Sequence, residues 1–288
     1  MLNREQLLHL FGFLLNRKLL VIATLLLSVQ MFSHGDLSER ILLKTVEIIE
    51  NPNNYELYYE RGFLYQQHVD YTEALADYHK SKSLGNTDKI LQYRIAEVHY
   101  LNEDYNDAII NIGKYIERDS IDVKAKKLEA QIFFELNEYE KSLESYRFVM
   151  QHMVDIRPED ILEYATIILA ENNTNYKSAI DAIEFGMQEL GANTLSLQLK
   201  KLEYLKKSSQ VEKALKQYNY FILQYKRKEF WYYKKAKYLI EINRKKEANL
   251  TLKLATSSIA ELATRFKNMP SIIKLKEQIK SLESTTNN

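Results

Sequence analysis

Three groups of residues recur along this chain at a constant step of 34 positions. Arg61-Gly62, Asp70-Tyr71 and Glu73-Ala74-Leu75 return as Ile95-Ala96, Asp104-Tyr105 and Asp107-Ala108-Ile109, and again as Glu129-Ala130, Glu138-Tyr139 and Lys141-Ser142-Leu143. A step in this range carries two helical segments per unit, and a unit of that size cannot bury its apolar faces alone. Stacking against neighbours supplies the core, so the chain is confined to a repeat array and reads as a binding scaffold. Only 7 Gly and 3 Pro punctuate 288 residues, which leaves room for short turns and little else between helices.

Within the first unit, the pattern predicts helix A at about Tyr55–Gln67 and helix B at about Thr72–Leu84. Gly62, Ala96 and Ala130 fall inside successive A helices, and Ala74, Ala108 and Ser142 near the start of successive B helices. Small side chains at these two places let helix backbones approach, while Tyr65, Tyr78, Ile112, Phe133 and Tyr146 fill the space around them. Asp70, Asp104 and Glu138 sit at the start of helix B, whose partial positive charge favours an anion.

Tyr58, Gly62, Tyr65, Tyr71, Ala74 and Tyr78 stand at positions 4, 8, 11, 17, 20 and 24 of the unit, and in this the chain resembles the tetratricopeptide repeat family. Later units depart at Gln92, Lys126 and Ser142. The resemblance implies an all-α, right-handed superhelical solenoid of antiparallel helix pairs, with capping helices at both ends. It spans about residues 55–256, as six helix pairs. A fourth pair falls near Pro158–Leu190, a fifth near Leu195–Tyr225 and a sixth near Glu229–Thr256. In the fourth, the separation between small residues grows from 12 to 14 around Asn172-Asn173-Thr174-Asn175, which predicts an extended turn. Residues 36–54 then make an N-terminal capping helix with Leu37, Ile41, Leu42, Val46 and Ile49 on its apolar side, ended by Asn51-Pro52. Residues 257–288 hold closing helices at Ile259–Phe266 and Ser271–Leu282, separated at Met269-Pro270, and a polar tail expected to fray.

Residues 1–35 follow different rules. Arg17-Lys18 precede the apolar run Leu19–Leu27, and Ser33-His34-Gly35 supply small residues for cleavage, the order of a secretory signal peptide. Because Leu7–Leu15 is apolar as well, an uncleaved anchor is the alternative. The first reading makes the protein exported and periplasmic; the second ties it to the membrane. The segments Ser33-His34-Gly35-Asp36-Leu37, Arg61-Gly62 and Ala74-Leu75-Ala76-Asp77-Tyr78 also resemble exported tetratricopeptide proteins of Gram-negative bacteria.

The chain has no Cys, which excludes disulfides, thiolate metal sites and a cysteine nucleophile. Its six His form no metal-ligand spacing, the glycines stand singly with no phosphate loop, and no Gly-x-Ser-x-Gly elbow occurs. No cofactor or metal is expected, and a hydrolytic enzyme ranks third among the functions weighed.

Binding has two candidate surfaces. By resemblance to the family, helix A lines the concave side, which brings forward Tyr59, Phe63, Tyr93, Glu97, Tyr100, Lys127, Gln131 and Phe134. Aromatic strips of this kind hold extended peptides or partner helices, although any of these rings is equally suited to pack on a neighbouring helix. The family's clamp for a C-terminal carboxylate is not reproduced, since Tyr59, Phe63 and Glu97 take its places. The second surface follows from charge. Residues 36–194 hold 16 Lys and Arg against 30 Asp and Glu, whereas residues 195–288 hold 21 against 8. Lys226, Arg227, Lys228, Lys234, Lys235 and Lys237, interleaved with aromatics, form a basic patch suited to nucleic acid, anionic envelope or lipid material, an acidic partner, or the acidic part of another copy. Export would remove cytoplasmic nucleic acid from that choice.

Overall fold

The computed structural model describes residues 36–286, and all regular structure among them is helical. The signal or anchor reading of residues 1–35 therefore lies outside the described residues. Two compact units are present, one ending at Met153 and one beginning at Val154. The first holds α1 (residues 36–50), α2 (Tyr55–His68), α3 (Tyr71–Ser83), α4 (Lys89–Leu101), α5 (Tyr105–Ile116), α6 (Val123–Glu135) and α7 (Tyr139–His152). The second holds α8 (Pro158–Glu171), α9 (Tyr176–Leu190), α10 (Leu195–Lys207), α11 (Val211–Gln224), α12 (Lys228–Glu241), α13 (Lys245–Glu261), the single turn α14 (Thr264–Lys267) and α15 (Pro270–Thr286).

The 34-residue step is written into backbone chemistry at two further places. Asn54, Asp88 and Asp122 each cap a helix A, accepting from the backbone N–H of Glu56, of Ile90, and of Lys124 with Ala125. At the turn into helix B, Val69, Glu103 and Asn137 are left-handed, with φ of 71°, 63° and 60°, as are Ser209 and Asn243 in the second unit at 55° and 61°. One left-handed residue reverses the chain and lets helix B start at once. A β-branched side chain is the poorest choice for that conformation, and Asn among the better ones. Val69→Asn is therefore expected to raise the denaturation midpoint of the first unit, by about 1 kcal/mol in stability; an unchanged or lower midpoint by circular dichroism would contradict the strain.

Between paired helices, the small residues act as the spacing implies. A Cβ on Gly62 would lie 2.9 Å from the Tyr78 ring and 3.2 Å from the Ala74 carbonyl oxygen, so only glycine lets α2 and α3 touch here. Ala74, Ala96, Ala108, Ala130 and Ser142 are wholly buried. Ser142 departs from the Ala of the pattern without penalty because its hydroxyl donates to the Ala130 carbonyl at 2.7 Å. The fourth pair turns through Asn172–Asn175, where the Asn172 side chain accepts from Thr174 and Asn175 caps α9 through Ser178.

Three features differ from the sequence expectation. On α1, Ile48 is the buried apolar residue, while Leu42, Val46 and Ile49 face outward; the less exposed side is Leu37, Ile41, Thr45 and Ile48, with Thr45 accepting from Arg61 of α2, a face rotated from the one the apolar pattern suggests. Second, α13 continues to Glu261, because nothing breaks it after Thr256 and Ala255 and Ile259 extend its buried stripe against Ile272, Leu275 and Ile279 of α15. Ile259 thus belongs to α13 and not to a closing helix. Third, α15 starts at Pro270, where a missing N–H costs nothing, and runs on through Glu283 to Thr286.

Candidate functional site

The first unit sets α1 at an angle that leaves a cleft of about 580 Å³ beside α2 and α4. Arg40, Leu43, Lys44 and Glu47 of α1 form one wall, Tyr59, Glu60, Phe63 and Leu64 of α2 the other, and Arg94 of α4 closes the far end. Two polar links fix the angle of α1. Arg61 grips Asp77 with two hydrogen bonds of 2.7 and 2.8 Å and donates to the Thr45 hydroxyl at 3.0 Å. Lys44 lies 2.7 Å from both Glu47 and Glu60, and the hydrogen bond to Glu47, then that to Glu60, raise its pKa above the ordinary lysine value. The apolar part of the cleft is Leu43, Tyr59, Phe63 and Leu64. The Arg94 guanidinium stacks 4.7 Å above the Phe63 ring centre.

Tyr59 is a partition. Its ring leans on Tyr78 at 5.8 Å, and on its other side opens a more polar cleft of about 720 Å³ bordered by Asn86, Thr87, Asp88, Lys89 and Arg118. A chain crossing this ridge would meet apolar surface on one side and hydrogen-bonding groups on the other.

Of the eight groove residues expected from sequence, Tyr59 and Phe63 are brought together at this cleft. Glu97 is already engaged, accepting at 2.7 Å from both Gln66 and Arg94, while Gln66 in turn accepts from the buried Tyr78 hydroxyl at 2.8 Å. It serves to tie the first two repeats. Tyr93 meets Tyr115 edge-on at 5.6 Å, and burial pushes its hydroxyl pKa up to about 12. Tyr100 and Phe134 lean on Tyr105 and Tyr139 at 5.9 and 5.5 Å. Those three rings, half-buried, join helix A to helix B and show only part of their faces. Lys127 and Gln131 are half-buried on α6, with interactions of their own inside the fold. Sequence reasoning missed Leu43, Arg40 and Arg94. The signal for the first two was the place of α1 as a helix B preceding the first full unit, which puts it beside α2.

In the second unit the basic patch separates into two kinds of residue. Lys226, Lys228, Lys234 and Lys237 are exposed. Arg227 instead donates at 2.5 Å to the fully buried Glu229, and Lys235 donates to Asn219 at 2.8 Å, burial lowering its pKa. Trp231 lies flat on the buried Phe221, 4.1 Å between ring centres and 8° between planes, with the Lys234 ammonium 4.4 Å above it. Those rings build the core of the unit and are not laid out as a stacking platform for bases.

Ser38, His68 and Asp70 fall into line, with 3.2 Å from the Ser38 hydroxyl to His68 Nε2 and 2.8 Å from His68 Nδ1 to Asp70. The order is that of a hydrolase relay, yet the hydroxyl is on the exposed start of α1 and none of the three borders either cleft. The contact fastens α1 to the end of α2. Among the described residues, no group of three or more acidic or histidine side chains is placed to hold a metal ion.

Neither a protein-family model nor a curated protein matches the chain. Solved structures do. A tetratricopeptide repeat protein from Parabacteroides merdae superimposes over 88% of this chain and 93% of its own, with a TM-score of 0.53 at 16% identity. MamA from Desulfovibrio magneticus covers 56% and 90%, TM-score 0.50, 16% identity. YrrB, a tetratricopeptide protein described as having an unusual peptide-binding site, covers 62% and 90%, TM-score 0.50, 16% identity.

Proposed function

We propose that this chain, whose fold is that of the tetratricopeptide repeat proteins, is a non-catalytic, exported scaffold that grips a peptide segment of a partner protein in the groove beginning between α1, α2 and α4. The cleft of about 580 Å³ carries the reading, because it pairs an apolar floor with charged groups at either end. An apolar side chain of the peptide seats between Leu43, Tyr59 and Phe63, where rigid rings bury area with little loss of side-chain freedom. Its backbone then crosses the Tyr59 ridge toward Asn86 and Asp88. The structure of YrrB, with the same fold and a described peptide-binding site, supports this class of function. Export rests on the order of residues 1–35.

One preparation tests the whole reading. The protein is isolated from the envelope fraction of its host, its N-terminus is sequenced, and it is used to select from a phage-displayed library of random peptides. The expected start is near Asp36, and the enriched peptides should share an apolar anchor. They should bind Leu43→Glu at least tenfold more weakly, while its thermal midpoint stays unchanged because Leu43 is exposed. A cytosolic protein with Met1 intact would end the export claim, and peptides indifferent to Leu43→Glu would end the groove claim.

A further inference from the structure

Helices inside a stack bury two faces, and a terminal helix buries one, so a solenoid ends cleanly only where the outer face is polar. The C-terminal end meets that condition: outside the stripe that packs on α13, α15 exposes Ser271, Lys274, Lys276, Glu277, Gln278 and Lys280, with Ile273 as the exception. In the first unit, α1 does not. Leu42, Val46 and Ile49 are 64%, 49% and 73% exposed, and lie at the i, i+4, i+7 spacing of a helix-packing seam. Leu43 lies beside them, at the edge shared with the cleft. Glu39 and Glu50 stand at the two ends of the same face, both exposed.

A face of opposite charge exists in the second unit. On α13, Leu250 and Leu254 are 62% and 49% exposed at i, i+4, opposite the stripe buried against α12 and α15. Lys246 and Lys253, exposed, flank them. None of these four charges has an ion-pair partner among the described residues, in contrast to neighbouring groups such as Glu203, paired with Lys200 and Lys207, and Glu247, paired with Arg244. The apolar seam runs for about two turns on α1 and little more than one on α13, the first flanked by carboxylates and the second by ammonium groups.

We propose that the outer face of α1 docks on the outer face of α13 of a second copy of this chain. Leu42, Val46 and Ile49 interdigitate with Leu250 and Leu254, and Glu39 and Glu50 meet Lys246 and Lys253. The two surfaces differ, so the contact is heterologous: a pair joined this way leaves one α1 and one α13 face open for further copies, which produces chains or rings. A single helix-on-helix seam buries less than the roughly 1,200 Å² of stable complexes, so the association is weak and concentration-dependent.

Sedimentation velocity on the protein over a wide concentration range reads this directly. Weight-average mass is expected to rise with concentration and to fall back as salt is added, since the flanking charges are solvent-exposed. Val46→Glu and Leu254→Glu should each return the protein to single copies. The deciding measurement is a charge swap: Glu39→Lys with Glu50→Lys, and Lys246→Glu with Lys253→Glu, should each abolish association alone and restore it when the two variants are mixed. A protein that stays single at every concentration overturns the proposal, whether residues 1–35 or another protein covers α1. So does association that Val46→Glu abolishes and Leu254→Glu leaves intact, which would mean that α1 pairs with α1. Association of either charge variant alone would overturn the complementarity. Circular dichroism of each variant checks that the exposed substitutions leave the helices folded.

Discussion

Gly186→Ala is expected to be among the most damaging single-methyl additions to the second unit. A Cβ at this position would lie 2.6 and 2.8 Å from the two branch carbons of Ile161, which is wholly buried on α8. Neither partner has room to yield, because Ile161 is packed on every side and Gly186 is in the middle of α9. Overpacking of this kind costs about 1–3 kcal/mol and sometimes more, and the distances here place it at the upper end. Trp231, the chain's one tryptophan, sits in the same unit and reports its unfolding by fluorescence. A denaturation midpoint lowered by about 3 kcal/mol in stability is the expected result. Ile161→Val combined with Gly186→Ala should recover part of the loss, since the two residues share one contact and their effects are not additive. If Gly186→Ala left the midpoint in place, α8 and α9 would have to separate far more easily than the close approach allows.

Arg61→Met is expected to have the largest effect in the first unit, on stability and on the peptide binding proposed for the cleft. Arg61 and Asp77 are both largely removed from water, with 16% and 7% of their side chains exposed. The hydrogen bonds to Asp77 raise the guanidinium pKa above its ordinary value against the opposing effect of burial, so Arg61 is held as a cation. Removing the cation leaves a buried carboxylate without its partner, a change that costs about 3–5 kcal/mol in comparable sites. Arg61→Met with Asp77→Leu removes both charges and should restore most of the stability. The double variant also separates the two roles of Arg61. It still lacks the hydrogen bond to Thr45 that sets α1, so peptide capture in the cleft should remain weakened at restored stability. Full recovery of both would show that α1 is positioned without Arg61.

The groove was legible in part, for a physical reason. A period of 34 residues says which positions of helix A face one side, and so brought forward Tyr59 and Phe63. It does not say how much of each ring is spent on the neighbouring helix. Tyr93, Tyr100 and Phe134 lean on Tyr115, Tyr105 and Tyr139, residues contributed by helix B, and Glu97 is held by Gln66 and Arg94. The basic patch divides in the same way. Six cations close in sequence look alike on the page, but Glu229 is buried beneath Arg227 and draws it inward, which leaves Lys226 and Lys228 exposed on either side.

By itself the sequence determined the helix pairs, their step, and the two small residues at which paired helices touch. Those are properties of local periodicity and side-chain volume, and they repeat wherever the pattern repeats. Only the tertiary structure decided the rotation of α1, because that depends on where Arg61 finds Asp77 and Thr45 across three helices. It also decided that Gly186 meets Ile161, a contact between residues 25 positions apart on two different helices. The rotation of α1 sets both the cleft beside Leu43 and the open face of Leu42, Val46 and Ile49.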